Sequence, residues 1–242
     1  MSSTALATGL GSLPGESATD AVRLAVDNSA DLVFLPELPE RGPGADMIGR
    51  TFALLNELDE SLSIETTPSG WRLSRGDSRV MRRARSWYHE DLDEFEKVVS
   101  SNPARLKFQF TGPITLAAFI EPSAGDRVIQ DLGAVRDIAA ALREVIRNEI
   151  SEYRNRFPNA QFDVQVDEPG IELALKGGLK RRSGRGNVEP IPNEIVIDLL
   201  KTISAEIVSV GATPWIHSCA TEPPLQVLSK TGFQNWAVPF SG

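Results

Sequence analysis

The sequence predicts an α/β fold built on a parallel sheet, and three observations carry that prediction. Short runs rich in β-branched and aromatic residues alternate with longer helical patterns, as strands and their crossover helices do. The chain has 242 residues, enough for one large domain spanning 1–242. Residues of unusual chemistry fall just past the strand runs, where parallel α/β sheets bind their ligands.

The first strand is expected over Ala5–Leu10 and the first helix over Ala18–Asn28. "LVFLP", Leu32–Pro36, reads as the second strand, followed by a helix over Asp46–Glu60. Ser61–Leu73 breaks the rhythm: "SLSIETTPSGWRL" reads as a hairpin excursion turning at Pro68-Ser69-Gly70, projecting over one end of the sheet. A helix over Ser78–Val99 then leads into the third strand, "KFQFT" at Lys107–Thr111. The helix over Ala134–Arg156 carries Ile138, Leu142, Val145, Ile146 and Ile150 on one side, the stripe of a helix packed on a core. "DVQVD", Asp163–Asp167, is the fourth strand. Gly177–Pro190, "GGLKRRSGRGNVEP", is expected to be a mobile loop, either a solvated insertion or a lid that closes on an anion with Lys180, Arg181, Arg182 and Arg185. A helix over Asn193–Val210, the fifth strand Thr213–His217, a short helix Pro224–Lys230 and a sixth strand Asn235–Phe240 complete the pattern.

Composition removes several classes of function. Apolar residues make up 41% of the chain and charged residues 24%, with no apolar run near the ~18 residues that a membrane-spanning helix needs. No basic stretch followed by a long apolar one opens the sequence, so no secretory signal is read and a cytoplasmic location is expected. A net charge of −8 gives no overall attraction to nucleic acid phosphates, and a single cysteine excludes an intrachain disulfide.

Five strand ends carry the candidate chemistry. "GLGSLPG" places Ser12 in a turn after the first strand, but Pro14 stands where a dinucleotide fingerprint needs its third glycine. "PELPERG" and "VDEPG" place four acids at strand ends, and Glu37 and Asp167 directly follow apolar strands, so both point into the mouth of the sheet. Acids so placed hold a ligand's ammonium group or act as a general base when their pKa values are raised. In "HSC", His217 and Cys219 are two apart on an extended segment and so share a side. Imidazole and thiolate suit zinc; a Cys–His nucleophilic pair and a plain buried cysteine beside a bonded histidine are the rival readings.

Taken in order, "GSLP", "LPELPERGPGADM", "FTGPITL", "VDEPG" and "IHSC" resemble the glycine-serine turn, second-strand acid, T-G-P, D-E-P and H-x-C segments of one barrel superfamily. That superfamily contains cobalamin-independent methionine synthase and uroporphyrinogen decarboxylase, and the likeness is greater to the synthase's catalytic domain. The resemblance implies a TIM-type (β/α) barrel, here with about six of the eight strands and the C-terminal ones missing. It implies that Ser12, Glu37 and Asp167 hold the amino acid part of homocysteine and that His217 and Cys219 bind zinc. The metal would activate the substrate thiol towards the N5-methyl group of a folate co-substrate. The family's two further zinc ligands, a glutamate on the next strand and a second cysteine, have no counterpart in this sequence.

Two alternatives follow from that difference: a non-catalytic relative that binds a small molecule, or a decarboxylase-type enzyme using the basic loop. An unclosed barrel would expose its edge strands, so a homodimer through the C-terminal edge, where Trp236, Val238 and Phe240 alternate, is also expected.

Overall fold

The computed structural model describes residues 7–29, 31–99 and 103–239. Along the chain lie α1 (Ala18–Asn28), β1 (Val33–Phe34), α2 (Met47–Leu58), β2 (Ser63–Thr67), β3 (Gly70–Ser74) and α3 (Arg79–Val98). There follow β4 (Arg105–Thr111), α4 (Pro113–Phe119), β5 (Ile120–Glu121), α5 (Leu132–Arg156) and β6 (Gln161–Asp167). The remainder is α6 (Ile171–Lys176), α7 (Asn193–Ser209), β7 (Thr213–His217), α8 (Leu225–Leu228) and β8 (Asn235–Ala237).

The main sheet has five strands in the order β1-β4-β6-β7-β8, every pair parallel. The order follows the chain without reversal, which is how strands are laid down in a (β/α) barrel and not in a doubly wound sheet. No helix among the described residues is long and apolar enough to cross a membrane.

The two faces of β4 and β6 differ in chemistry because side chains alternate along a strand. Phe108 stacks on Tyr153 of α5 with the rings 14° apart, meets Phe95 of α3 edge-on, and lies beside Phe162. That face is the apolar core, one cluster running from Val22 to Phe233. The opposite face carries Lys107, Gln109, Asp163, Gln165 and Asp167, all buried. Arg105 grips Asp163 with both Nε and Nη2, and the Lys107 ammonium donates to Gln165 Oε1 at 2.8 Å and to the Gly9 carbonyl. Burial pushes the Lys107 amine down to about 8, against the pull of Asp167 and Asp163.

The helices begin where side chains satisfy their first backbone N–H groups. Ser17, Asp46, Ser78 and Asp131 each accept from the first turn of α1, α2, α3 and α5. Two helices were not expected. α4 starts directly after the T-G-P turn with Pro113 in its first position, where a missing N–H costs nothing, and α6 ends at Gly177 in the left-handed conformation.

Three expectations need correction. The described part of the first strand, Ala7–Leu10, is not a strand, and Ala5 and Leu6 lie outside the described residues. The carbonyls of Gly9 and Leu10 bond to the Lys107 and Gln165 side chains in place of a neighbouring strand, and pairing is reduced to a single parallel bridge between Ser12 and Glu37. The last strand is short, β8 ending at Ala237, and Phe240 lies outside the described residues. The Gly177–Pro190 segment is tied down at several points: Leu179 and Val188 are buried, Val188 N–H donates to the Leu179 carbonyl, and Arg127 donates to the Lys180 carbonyl. The hairpin is formed as expected by antiparallel β2 and β3, and β3 adds the parallel strand β5, giving a second sheet of three strands.

Replacing Phe108 removes the ring shared by α3, α5 and β6, so Phe108→Ala is expected to destabilise the protein by about 3–5 kcal/mol. Urea unfolding of the variant beside the parent chain measures this.

Candidate active site at the strand ends

The C-terminal ends of β4, β6 and β7 are laced together by the backbone. Gly112 N–H donates to the Asp167 carbonyl and Glu168 N–H to the His217 carbonyl, both at 2.8 Å. The Ser12 turn joins through Glu37, whose N–H donates to the Gly11 carbonyl at 3.0 Å while Leu13 N–H donates back to the Glu37 carbonyl at 2.9 Å.

The side chains then form two bonded pairs, Ser12 with Glu37 and Asp167 with His217, with the charge of Asp167 felt at Glu37. Ser12 Oγ donates to Glu37 Oε2 at 3.3 Å, Glu37 interacts electrostatically with Asp167, and Asp167 Oδ1 is 2.8 Å from His217 Nδ1. Gln165 Nε2 donates to the same Asp167 oxygen at 2.7 Å. The bond between Asp167 and Nδ1 orients the imidazole. Four of the sequence-predicted residues, Ser12, Glu37, Asp167 and His217, are thus brought together. Cys219 lies two residues beyond His217, past the end of β7, with its side chain exposed.

Both acids of the two pairs are buried and costly to ionise. Burial drives the Glu37 carboxyl up to about 7, aided by the negative charge of Asp167 and opposed by Arg50, Gln109 and Ser12. Asp167 is also raised, chiefly by burial, although His217, Gln165 and Lys107 favour its charged form.

Glu168 was read only as one of four acids at the strand ends, and Gln109 was not singled out from the sequence. Glu168, fully buried, accepts from Ile114 N–H at 3.0 Å, Thr115 N–H at 2.7 Å and Thr115 Oγ at 2.6 Å, and burial still holds its carboxyl up at about 7. The glycine of T-G-P makes room for it, since a Cβ on Gly112 would lie 2.2 Å from Glu168 Oε1. Gln109 donates to the Leu35 carbonyl at 2.6 Å and leaves its buried Oε1 without a partner. The alternation in "LKFQF" was the available signal, as it puts Lys107 and Gln109 on one face.

The basic loop spends much of its charge internally. Arg181 pairs with Asp126 at 3.2 Å, Arg182 with Glu121 at 3.6 Å, and Lys180 donates to Asn187 at 3.0 Å. Beside the site, a cleft of about 460 Å³ lies between the loop after Glu37 and the β2–β3 hairpin, lined by Pro39, Pro43, Asp46 and Trp71 among others.

His217 Nε2 and the Cys219 thiol are donors that zinc accepts, whereas a catalytic zinc takes three protein ligands. Among the described residues no group of three or more His, Cys, Asp or Glu side chains is placed to hold a metal. The described side chains therefore do not make up the ligand set of such a site.

Fold and site together define the class: an α/β protein with the strand order of a (β/α) barrel and a buried acid–imidazole group at the carboxyl ends of its strands. Compared with known proteins, the chain matches no family model and no curated protein.

Glu37 has its folded pKa raised from 4.5 to about 7, so its contribution to stability is fully present below about 4.5 and is lost as the pH rises through 7. Glu37→Gln removes that loss. The variant is expected to gain on the parent chain between pH 5 and pH 8, by at most about 3 kcal/mol, measured by urea unfolding at both pH values.

Proposed function

We propose that the strand-end site binds a small amino acid bearing a thiol, of the homocysteine type, and that the protein transfers a methyl group to that thiol from an N5-methyl folate. The observation that carries this reading is the set of two bonded pairs, Ser12 with Glu37 and Asp167 with His217. Two buried carboxylates that feel one another's charge repel, and a ligand ammonium bound by both would relieve the repulsion and supply N–H donors. Ser12 Oγ adds a polar group at one end of the site. At the other end His217 is held by Asp167 through Nδ1. Binding an ammonium favours ionised Glu37, so ligand uptake near neutral pH releases a proton.

In the transfer, the thiol loses its proton, its sulfur attacks the methyl carbon, the C–N5 bond breaks, and the folate nitrogen keeps the electron pair and takes up a proton, which balances the one lost by the thiol. Burial of the acids excludes water from the ammonium end and strengthens every charge contact there.

A second reading, binding of the same amino acid without methyl transfer, is favoured by the two-donor count among the described residues. The superfamily's decarboxylase-type chemistry draws no such support, because two of the four basic loop side chains are already paired with carboxylates.

Calorimetric titration with L-homocysteine at pH 7 tests the reading. The parent chain is expected to bind, and Asp167→Asn to bind at least tenfold more weakly, about 1.4 kcal/mol. No binding by the parent chain overturns the proposal. Binding without formation of methionine from homocysteine and methyl folate, in the presence of zinc, selects the second reading.

A further inference from the structure

Behind the site lies a buried group of two cations and one anion. Asp91 of α3 takes Arg41 on Oδ1 at 2.7 Å and faces Arg50 of α2 with Oδ2 at 3.5 Å, and all three side chains are 6–7% exposed. Each arginine also donates to a backbone carbonyl, Arg41 through a second nitrogen and Arg50 through the same Nη1 that faces Asp91. Arg41 Nε donates to the Glu16 carbonyl at 2.8 Å, and Arg50 Nη1 donates to the Pro36 carbonyl at 2.9 Å.

Those two carbonyls belong to the two segments that carry Ser12 and Glu37. Pro36 immediately precedes Glu37, and Glu16 closes the turn that begins at Gly11-Ser12. A further bond joins the same segments, from Gly15 N–H to Glu40 Oε2 at 2.9 Å. The segments otherwise meet only weakly for a site: one bridge pair, Ser12 with Glu37, stands where a full strand ladder would hold them. Arg50 is also braced against the Tyr88 ring, 4.9 Å from its centre, so the guanidinium approaches Pro36 from a fixed direction.

We infer that Asp91 is a positioning residue that sets the Ser12 and Glu37 segments in register through Arg41 and Arg50. Its carboxylate accepts from both arginines and so fixes the distance between two loops that it does not itself bond. An arginine left without its carboxylate in this buried setting turns towards water, because an unpaired buried charge is costly. The carbonyl it held is then freed, and the bridge between Ser12 and Glu37 is the first contact to loosen.

The inference rests on the proposed amino acid site only for its ligand measurement, and amide hydrogen exchange tests it without any ligand. The reporters are the amides of Leu13 and Glu37, which make the bridge, and the controls are those of Gly112 and Glu168, which lace the other strand ends. Asp91→Asn is expected to speed exchange at Leu13 and Glu37 at least tenfold and to leave Gly112 and Glu168 unchanged. Arg41→Gln, which releases the Glu16 carbonyl and one of the two arginines on Asp91 while leaving Arg50 on Pro36, is expected to give the same pattern and decides the matter should Asp91→Asn not fold. Unchanged exchange at Leu13 and Glu37, or equal acceleration at all four amides, would overturn the inference. Where the parent chain binds L-homocysteine, Asp91→Asn should weaken that binding at least fivefold, and undiminished affinity there also overturns it. A parent chain that does not bind homocysteine removes the proposed function, while the exchange pattern still decides the role of Asp91.

Discussion

The seven-residue parallel register between β4 and β6 is the constraint on which the rest depends. Pairing from Arg105 with Gln161 to Thr111 with Asp167 puts Phe108 beside Val164 and Gln109 beside Gln165, so both strands turn like faces the same way. The aromatic face then meets α3 and α5, and the polar face is left to the interior. The same register delivers Gly112 and Asp167 to one level, where the T-G-P and D-E-P turns interlock through Glu168. A slip of β4 by one residue against β6 would put Lys107 and Gln109 against the helices and Phe108 inside.

The polar interior is expensive to build, and the structure offsets the cost with pairing. Asp163 has Arg105 and the Trp215 indole, Lys107 has Gln165 and the Gly9 carbonyl, and Glu168 has three donors from α4. Glu37 and Asp167 are less completely served, each raised in pKa by burial, and they are the pair that faces the proposed ligand. An unserved buried carboxylate is a stability cost that a cationic ligand can repay, which is how a binding site differs from a satisfied core.

Helix ends and strand ends were legible because local chemistry sets them. The first helix was read from its apolar stripe with the observed bounds, Ala18–Asn28, and Thr213–His217 was read as the strand it is. That Glu37, Asp167 and His217 stand at or just past strand runs was legible because strand ends of a parallel sheet converge, whereas Ser12 was placed by a strand that is not formed among the described residues. The first strand was misread for the opposite reason: its carbonyls are claimed by Lys107 and Gln165, about a hundred residues or more away in the chain, and no local pattern announces that. α4 was missed although Pro113 marks its start, since seven residues are too few to show helical periodicity.

By itself the sequence determined the α/β class, the longer helices and the central strands, and the kinds of side chain that stand at the strand ends, because propensity, periodicity and turn chemistry act over a few residues. Only the tertiary structure decided which of those side chains touch. It set His217 on Asp167, left Cys219 exposed, closed Glu168 against α4, and tied Arg41 and Arg50 to Asp91. Such contacts join residues fifty or more positions apart in most of these cases, and their energies depend on burial and on the direction of approach. Both quantities exist only once the sheet has brought the strands side by side.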